Sequence, residues 1–124
     1  ILKNTEYLGV VDGKSKIELL SWGNVFCLPT YYSMEGQPIS IIEAMGFGNF
    51  IVTTRHAGIP DICSPNNALF VRKRDSESLT KELIRLSKGM THLESVSLKN
   101  LEFARKKFSE ESFISGIFKI LNQK

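Results

Sequence analysis

The sequence is poor in the residues that build disulfide frameworks and metal clamps. It has two cysteines, Cys27 and Cys63, and its three aspartates stand far apart at positions 12, 61 and 75. Small domains that depend on disulfides carry several cysteine pairs, and a structural zinc site needs four closely spaced Cys or His ligands. We therefore expect a chain from a reducing compartment, with Cys27 in the core, no metal site and no cofactor.

Two further absences exclude whole classes of protein. Sixteen Lys and Arg against 13 Asp and Glu leave a net charge of +3, far from the dense basic face of a nucleic-acid-binding module. No apolar run approaches the roughly 20 residues that cross a bilayer, and no basic-then-apolar leader is seen. We expect a cytoplasmic protein without a nucleic-acid partner. Because the sequence begins at Ile1 rather than Met, we also expect it to be part of a longer protein.

The chain does contain enough apolar residues for one folded domain. Of its 124 residues, 42% are hydrophobic, and a domain of this size buries roughly two-thirds of its unfolded surface. Four short apolar runs bounded by turn residues are predicted as strands, at 5–11, 25–28, 50–53 and 68–71. The second and third are apolar enough to be buried on both faces. Because helical segments separate the strands, the pattern predicts an α/β fold with a parallel sheet.

Start and stop signals delimit the first two helices. Ser15 and Glu18 have the spacing of a capping box, which predicts a helix that ends near Gly23. Pro38 suits the first position of a second helix that runs to Phe47, with Gly48 after it to end the helix in the left-handed conformation.

The last third of the chain is also predicted to be helical. Asp75 or Ser76 caps a helix with leucines at 79, 83 and 86, and helical periodicity returns beyond Gly89. A final helix carries one apolar stripe. Two basic clusters, at 72–74 and 105–107, are predicted as solvated faces, with contact to anionic lipid headgroups as the alternative.

Glu43 stands in the middle of a helix that is apolar on nearly every side, so we expect that helix to be buried. A buried carboxylate without a partner costs several kcal/mol. Helical side chains lean toward the N-terminus, so Glu43 should point to the helix start, where the N–H groups of Ile39, Ser40 and Ile41 are free to bind an anion. It lies about 7.5 Å along the axis from Pro38. A carboxylate there can bind the hydroxyls of a ribose whose diphosphate occupies the helix start.

Glu35 lies in the loop that precedes this helix, beside Gly36. The loop leaves the carboxyl end of a predicted parallel strand, where open α/β sheets bind ligands. Glu35 and Glu43 therefore bracket an anion site with two hydroxyl-binding carboxylates, which matches the shape of a nucleotide sugar. The alternative is a solvated loop acid and a helix acid that is salt-bridged to a lysine.

These residues resemble a known family. The segment 35–44, EGQPISIIEA, with Leu-Pro-Thr at 28–30 before it and Gly-Ile-Pro-Asp at 58–61 after it, is similar to the donor-site motif of retaining GT-B glycosyltransferases of family four. The resemblance covers about residues 7–88 and is best to bacterial enzymes of O-antigen or capsule assembly. It implies a Rossmann-like parallel sheet with helices on both faces, about four strands and truncated at its N-terminal side, so that residues 1–124 form part of a C-terminal nucleotide-sugar-binding domain.

The resemblance also implies the role of each site residue. Glu35 is the catalytic residue and contacts the transferred sugar, Ser40 lies beside the phosphates, and Glu43 holds the ribose hydroxyls. The donor-binding residues are Glu35, Gly36, Gln37, Pro38, Ile39, Ser40 and Glu43. Asp61 stands where Glu is commoner in the family and Phe50 where Pro is usual, which leaves the sugar open.

The implied function is the donor-binding part of a metal-independent hexosyltransferase that uses a nucleotide sugar, with UDP expected. Its partners would be the donor, a lipid-linked saccharide acceptor and an N-terminal acceptor domain beyond this sequence, at the inner face of a bacterial membrane. We expect this chain alone to be inactive and its first strand to be abnormal or shared between two copies in a dimer. The alternatives are a phosphorylase or epimerase of the same architecture and a non-catalytic α/β interaction module.

Overall fold

The computed structural model describes residues 3–122, apart from the side chains of residues 90–92. Within that range, three strands form one parallel sheet in the order β1-β2-β3. The strands are β1 (Val25–Leu28), β2 (Phe50–Thr54) and β3 (Ala68–Val71), and the helices are α1 (Gly13–Trp22), α2 (Ile39–Gly46), α3 (Ser76–Ser87), α4 (Met90–Lys107) and α5 (Glu110–Leu121). The predicted α/β fold with a parallel sheet is confirmed.

The first predicted strand is wrong. Residues 5–11 form no strand, so the sheet has three strands rather than four across residues 3–122. Tyr7 and Val10 are 93% and 99% exposed, and Gly9 interrupts the segment with a φ of +68°. A strand is stabilised by ladder hydrogen bonds and side-chain packing. Within residues 3–122 the segment 5–11 forms no ladder, and Val11 is its one residue that is not exposed. Sharing of this segment between two copies stays a prediction.

The position of each strand in the sheet decides how deeply it is buried. All five residues of β2 are buried, as predicted, because β1 and β3 pair with it on both sides. Strand β1 is half-buried and the Cys27 side chain is exposed. The expectation that β1 is buried on both faces, with Cys27 in the core, is therefore wrong. The reason is that β1 forms an edge of the described sheet.

Helices cover both faces of β2, because successive side chains of a strand point to opposite faces. Ile51 packs with Ile41 and Met45 of α2 on one face. Phe50 and Val52 pack on the other face with apolar side chains from β3, α3 and α4. Helix α4 is long enough to contribute to both clusters.

Two buried asparagines join the helices to the amino end of β2. The Asn49 side-chain Nδ2 donates to the carbonyls of Leu20 in α1, at 2.9 Å, and Ala44 in α2, at 3.1 Å. Asn100 of α4 donates from its Nδ2 to the Asn49 carbonyl at 3.0 Å. Both asparagines are at most 2% exposed. Through these bonds one residue fixes three helices relative to the strand that follows it.

Helix ends agree with the predictions in most places. Gly23 ends α1, Gly48 adopts a left-handed φ of +75° after α2, and Asp75 caps α3 by accepting from the Ser78 N–H at 2.8 Å. The capping box at Ser15 is wrong, because α1 begins at Gly13 and its N-cap is Asp12, three residues before Ser15.

The last helix is formed as predicted, but none of its residues is buried. Its apolar stripe is exposed along residues 113–121.

Replacing Asn100 by Ala should destabilise the fold. The buried Asn49 carbonyl would lose its donor, and a buried unsatisfied polar group costs about 1–3 kcal/mol. Urea unfolding of the variant should show a lower midpoint than Lys99→Ala, a substitution at an exposed position of the same helix. Equal midpoints would contradict the role given to Asn100.

Alkaline pH should destabilise the fold through Cys63. Burial raises the pKa of the Cys63 thiol to about 11, so this contribution to stability is complete below pH 9 and is lost as the pH rises toward 11. Between pH 8 and pH 10.5 we expect Cys63 to account for about 2 kcal/mol of lost unfolding free energy. Urea unfolding at both pH values should show a smaller loss in Cys63→Ala than in Cys27→Ala. A loss that is the same in both variants would refute this assignment.

Candidate functional site

The loop that follows β1 is held in place by two threonines of β2. Thr53 donates from its hydroxyl to the Leu28 carbonyl at 2.9 Å, and Thr54 donates to the Thr30 carbonyl. Both threonines are fully buried. The Thr53 bond strengthens the last pair of the β1–β2 ladder, and the Thr54 bond extends the contact two residues past it, so the loop leaves the sheet in a fixed direction.

A second loop supports the middle of the first. The His56 Nε2 lies 2.7 Å from the Tyr32 carbonyl, and the Gly58 N–H donates to the Gly36 carbonyl at 3.1 Å. A Cβ on Gly58 would lie 2.9 Å from the Gln37 Cγ and 3.0 Å from the Gly36 oxygen. Only glycine allows the two loops to approach this closely. His56 therefore helps to fix the loop that carries Glu35.

Glu35 is half-buried in the loop between β1 and α2, residues 29–38 (the supported loop). Its N–H donates to the Tyr32 carbonyl at 3.0 Å, which closes a turn. Its carboxylate makes no hydrogen bond or ion pair with any residue that the structure describes. A Cβ on Gly36 would meet no atom within 4 Å. Glu35 thus offers a carboxylate beside open space at the carboxyl edge of the sheet.

Helix α2 begins beside this loop with Pro38 as its buried N-cap. The Ile41 N–H donates to the Pro38 carbonyl at 3.0 Å, whereas the Ile39 and Ser40 N–H groups find no acceptor within residues 3–122. Two free N–H groups therefore remain where three were expected. The expectation that α2 is buried all round is also wrong, because Ile39 is 71% exposed.

Glu43 has a partner that its sequence context did not specify. The Lys16 Nζ of α1 donates to the Glu43 Oε1 at 2.6 Å, and the two side chains are 40% and 35% exposed. The carboxylate is half-buried and points toward α1, rather than being buried and pointing to the start of α2. This is the salt-bridged arrangement that the alternative interpretation anticipated for Glu43.

Ser40, Glu43 and Lys16 line one cavity of about 310 Å³ between α1, α2 and β1. The rest of its lining is largely apolar and includes Leu20 and Phe26. A few polar groups in a largely apolar cavity suit a ligand that has hydroxyls and a flat apolar part.

The structure thus brings Ser40 and Glu43 together in one cavity and leaves Glu35 outside it, in the supported loop. Lys16 was missed. It is 27 residues from Glu43, and the sequence gives no local signal for a pair at that separation. Among the described residues, no group of three or more His, Cys, Asp and Glu side chains is placed to hold a metal ion. None of the helices described is long and apolar enough to span a membrane.

The relatives found by comparison with known proteins are named as glycosyltransferases of polysaccharide biosynthesis. The chain is 33% identical over 75 residues to the amylovoran biosynthesis glycosyltransferase AmsK of Erwinia amylovora, which covers 56% of this chain and 18% of AmsK. It is 32% identical over 101 residues to WcaL of Salmonella typhimurium, named as a colanic acid biosynthesis glycosyltransferase, which covers 76% of this chain and 25% of WcaL. The chain therefore spans a quarter or less of the length of these curated relatives.

A solved structure shares the fold. The sucrose-phosphate synthase of Thermosynechococcus elongatus superposes with a TM-score of 0.81 at 21% identity, over 95% of this chain and 29% of that chain. The three-stranded parallel sheet and its helices thus match part of a GT-B Rossmann-like fold. Residues 1–88, which contain the supported loop, α2 and the cavity, match the family described as glycosyl transferases group 1. The chain belongs to this glycosyltransferase family.

Proposed function

We propose that the chain is the donor-binding part of a retaining, metal-independent hexosyltransferase that takes a UDP-sugar and builds a cell-surface polysaccharide such as O-antigen. Membership of the family and relatives named for amylovoran and colanic acid biosynthesis support the general class. The acceptor in this proposal is a lipid-linked saccharide, bound largely by an N-terminal domain outside this sequence, at the inner face of the membrane. Without that domain, the chain alone would be inactive.

The cavity lined by Ser40 and Glu43 is the observation that carries this proposal. It adjoins the start of α2, where the N–H groups of Ile39 and Ser40 have no acceptor in the described structure. Free N–H groups and the positive end of the helix dipole favour a phosphate. A nucleotide would place its diphosphate at the helix start, its ribose at Glu43 and its base against the apolar lining.

The ion pair with Lys16 is compatible with ribose binding. A carboxylate has about four acceptor positions, and Lys16 occupies one of them on Oε1. The side chain is 35% exposed, which leaves oxygen surface for the two vicinal hydroxyls of a ribose. In this proposal Lys16 also holds the Glu43 carboxylate in a single orientation before the donor binds.

Charge stabilisation is the main chemical contribution of these residues. As the bond from the sugar to the diphosphate breaks, negative charge grows on the leaving diphosphate, and the N–H groups of Ile39 and Ser40 are oriented to stabilise it. Gly36, Gln37 and Pro38 lead the backbone past the sugar, and Glu35 accepts hydrogen bonds from its hydroxyls. The donor phosphate itself takes the proton from the attacking hydroxyl on the same face of the sugar.

Substituting Glu43 should weaken UDP binding through the ribose alone. We expect Glu43→Ala to raise the Kd of the chain for UDP about 10-fold or more, the value of hydrogen bonds to a charged group. Isothermal titration measures the Kd of wild type and variant for UDP and for 2′,3′-dideoxy-UDP, which lacks the two ribose hydroxyls. The four values form a thermodynamic cycle that isolates the interaction of Glu43 with those hydroxyls. Wild type should prefer UDP, and Glu43→Ala should bind both ligands equally.

Lys16→Met is the matched control, because it breaks the same ion pair and keeps the carboxylate. It should retain the preference for UDP over the dideoxy analogue. Equal loss of that preference in both variants would mean that Glu43 acts only through the ion pair. Absence of any response to millimolar UDP would favour the non-catalytic interaction module.

Substituting Glu35 should affect turnover more than donor binding. In the full-length enzyme, Glu35→Gln removes the carboxylate charge beside the transferred sugar, so kcat should fall about 10-fold or more while the donor KM changes about 2-fold at most. Steady-state kinetics with a UDP-sugar and a saccharide acceptor measure both constants. Wild-type kcat in this variant would eliminate Glu35 from the reaction.

A further inference from the structure

A second cleft opens at the same edge of the sheet as the supported loop. It has a volume of about 430 Å³ and lies between the residues that follow β1 and those that follow β3. Pro29 and Tyr31 line it on one side, and Arg72, Arg74 and Ser76 on the other. The donor site proposed above uses none of these five residues.

One of the two arginines contacts an aromatic ring, and the other is exposed to solvent. The Arg74 guanidinium lies 4.8 Å from the centre of the Tyr31 ring, a cation–π contact that fixes its position. Arg72 is exposed beside it. Neither guanidinium forms an ion pair with a carboxylate in the part of the chain that the structure describes. Both therefore keep N–H donors for a ligand.

The backbone at Arg74 is strained. Its φ is +56°, a left-handed conformation that costs a residue with a side chain about 1 kcal/mol or more. Glycine would adopt this conformation without the penalty. The turn between β3 and α3 nevertheless carries an arginine here, with its charge stacked on Tyr31. Strain of this kind is typical of residues positioned for a ligand.

The one carboxylate that lines the cleft, that of Asp75, caps helix α3. Asp75 lines it as well, and its Oδ1 accepts the Ser78 N–H at 2.8 Å as the cap of α3. The lining thus combines two guanidiniums, the Ser76 hydroxyl and one carboxylate. Guanidinium forks bind phosphate oxygens in a bidentate manner, so the chemistry of the cleft suits a phosphoryl group rather than a cation or an uncharged sugar.

We propose that this cleft is a second phosphoryl-binding site, separate from the one at the start of α2, with Arg72 and Arg74 as its ligands. Tyr31 connects the two sites, because it lies four residues before Glu35 in the same loop. In an enzyme that extends a lipid-linked saccharide, the ligand of this cleft is the phosphoryl group of the acceptor. The identification of the ligand as the acceptor's phosphoryl group rests on the proposed function, whereas the phosphoryl site itself does not.

Titration of the full chain with inorganic pyrophosphate, followed by amide chemical shifts, tests the site. We expect shifts at residues 72–76 and 31, and a Kd for these shifts that rises about 10-fold in Arg72→Gln and in Arg74→Gly. Arg74→Gly should not lower the urea midpoint, because glycine relieves the strain at this φ. Lys73→Gln is the matched control. It removes the same charge between the two arginines but does not line the cleft, and it should change the Kd about 2-fold at most.

Three outcomes would overturn the proposal. One is an equal loss of affinity in Lys73→Gln and Arg72→Gln, which indicates unspecific charge attraction. Another is binding only to vesicles of phosphatidylglycerol and not to pyrophosphate, which indicates a flat contact with a membrane. The third is a set of shifts confined to residues 36–41. Shifts confined to residues 36–41 would support the proposed donor site and rule out the cleft at Arg72 and Arg74. Shifts at 72–76 without any response to UDP would support the cleft and rule out the donor site.

Discussion

Strand β2 is the element on which the rest of the structure depends. It is the one strand of the described sheet that has a partner on each side, and all of its residues are buried. A buried strand must satisfy its polar groups within the protein. At its amino end Asn49 does so by bonding to α1, α2 and α4. At its carboxyl end Thr53 bonds to the last residue of β1, and Thr54 bonds to the loop that follows β1.

Because both ends of β2 carry such bonds, the strand connects the packing of the helices to the geometry of the site. The Asn49 bonds set where α1 and α2 lie, and these two helices supply Lys16 and Glu43. The threonine bonds set where the loop with Glu35 begins. Each side chain of the proposed donor site thus derives its position from one strand of five residues, FIVTT, without belonging to it.

Sequence reasoning was most successful where the signal was local. Two strands, β1 and β3, have the predicted bounds, and β2 differs by one residue. The caps at Gly23, Gly48 and Asp75 were also correct. The errors share a cause, which is that they concern neighbours in space. Residues 5–11 have a strand-like pattern but no partner strand among residues 3–122, and Cys27 is exposed because β1 is an edge of the described sheet. The partner of Glu43 depends on the packing of α1 against α2.

The motif around Glu35 and Glu43 predicted a glycosyltransferase, and the family match over residues 1–88 confirms that general class. That the chain would form a parallel α/β sheet was also fixed by the sequence, since the apolar runs and turn residues that produce it are contiguous. The tertiary structure alone decided which groups meet. It placed Lys16 on Glu43 and Arg74 on Tyr31, contacts between residues 27 and 43 positions apart. No periodicity along a chain encodes contacts at such separations, because they arise only when separate elements pack on a common core.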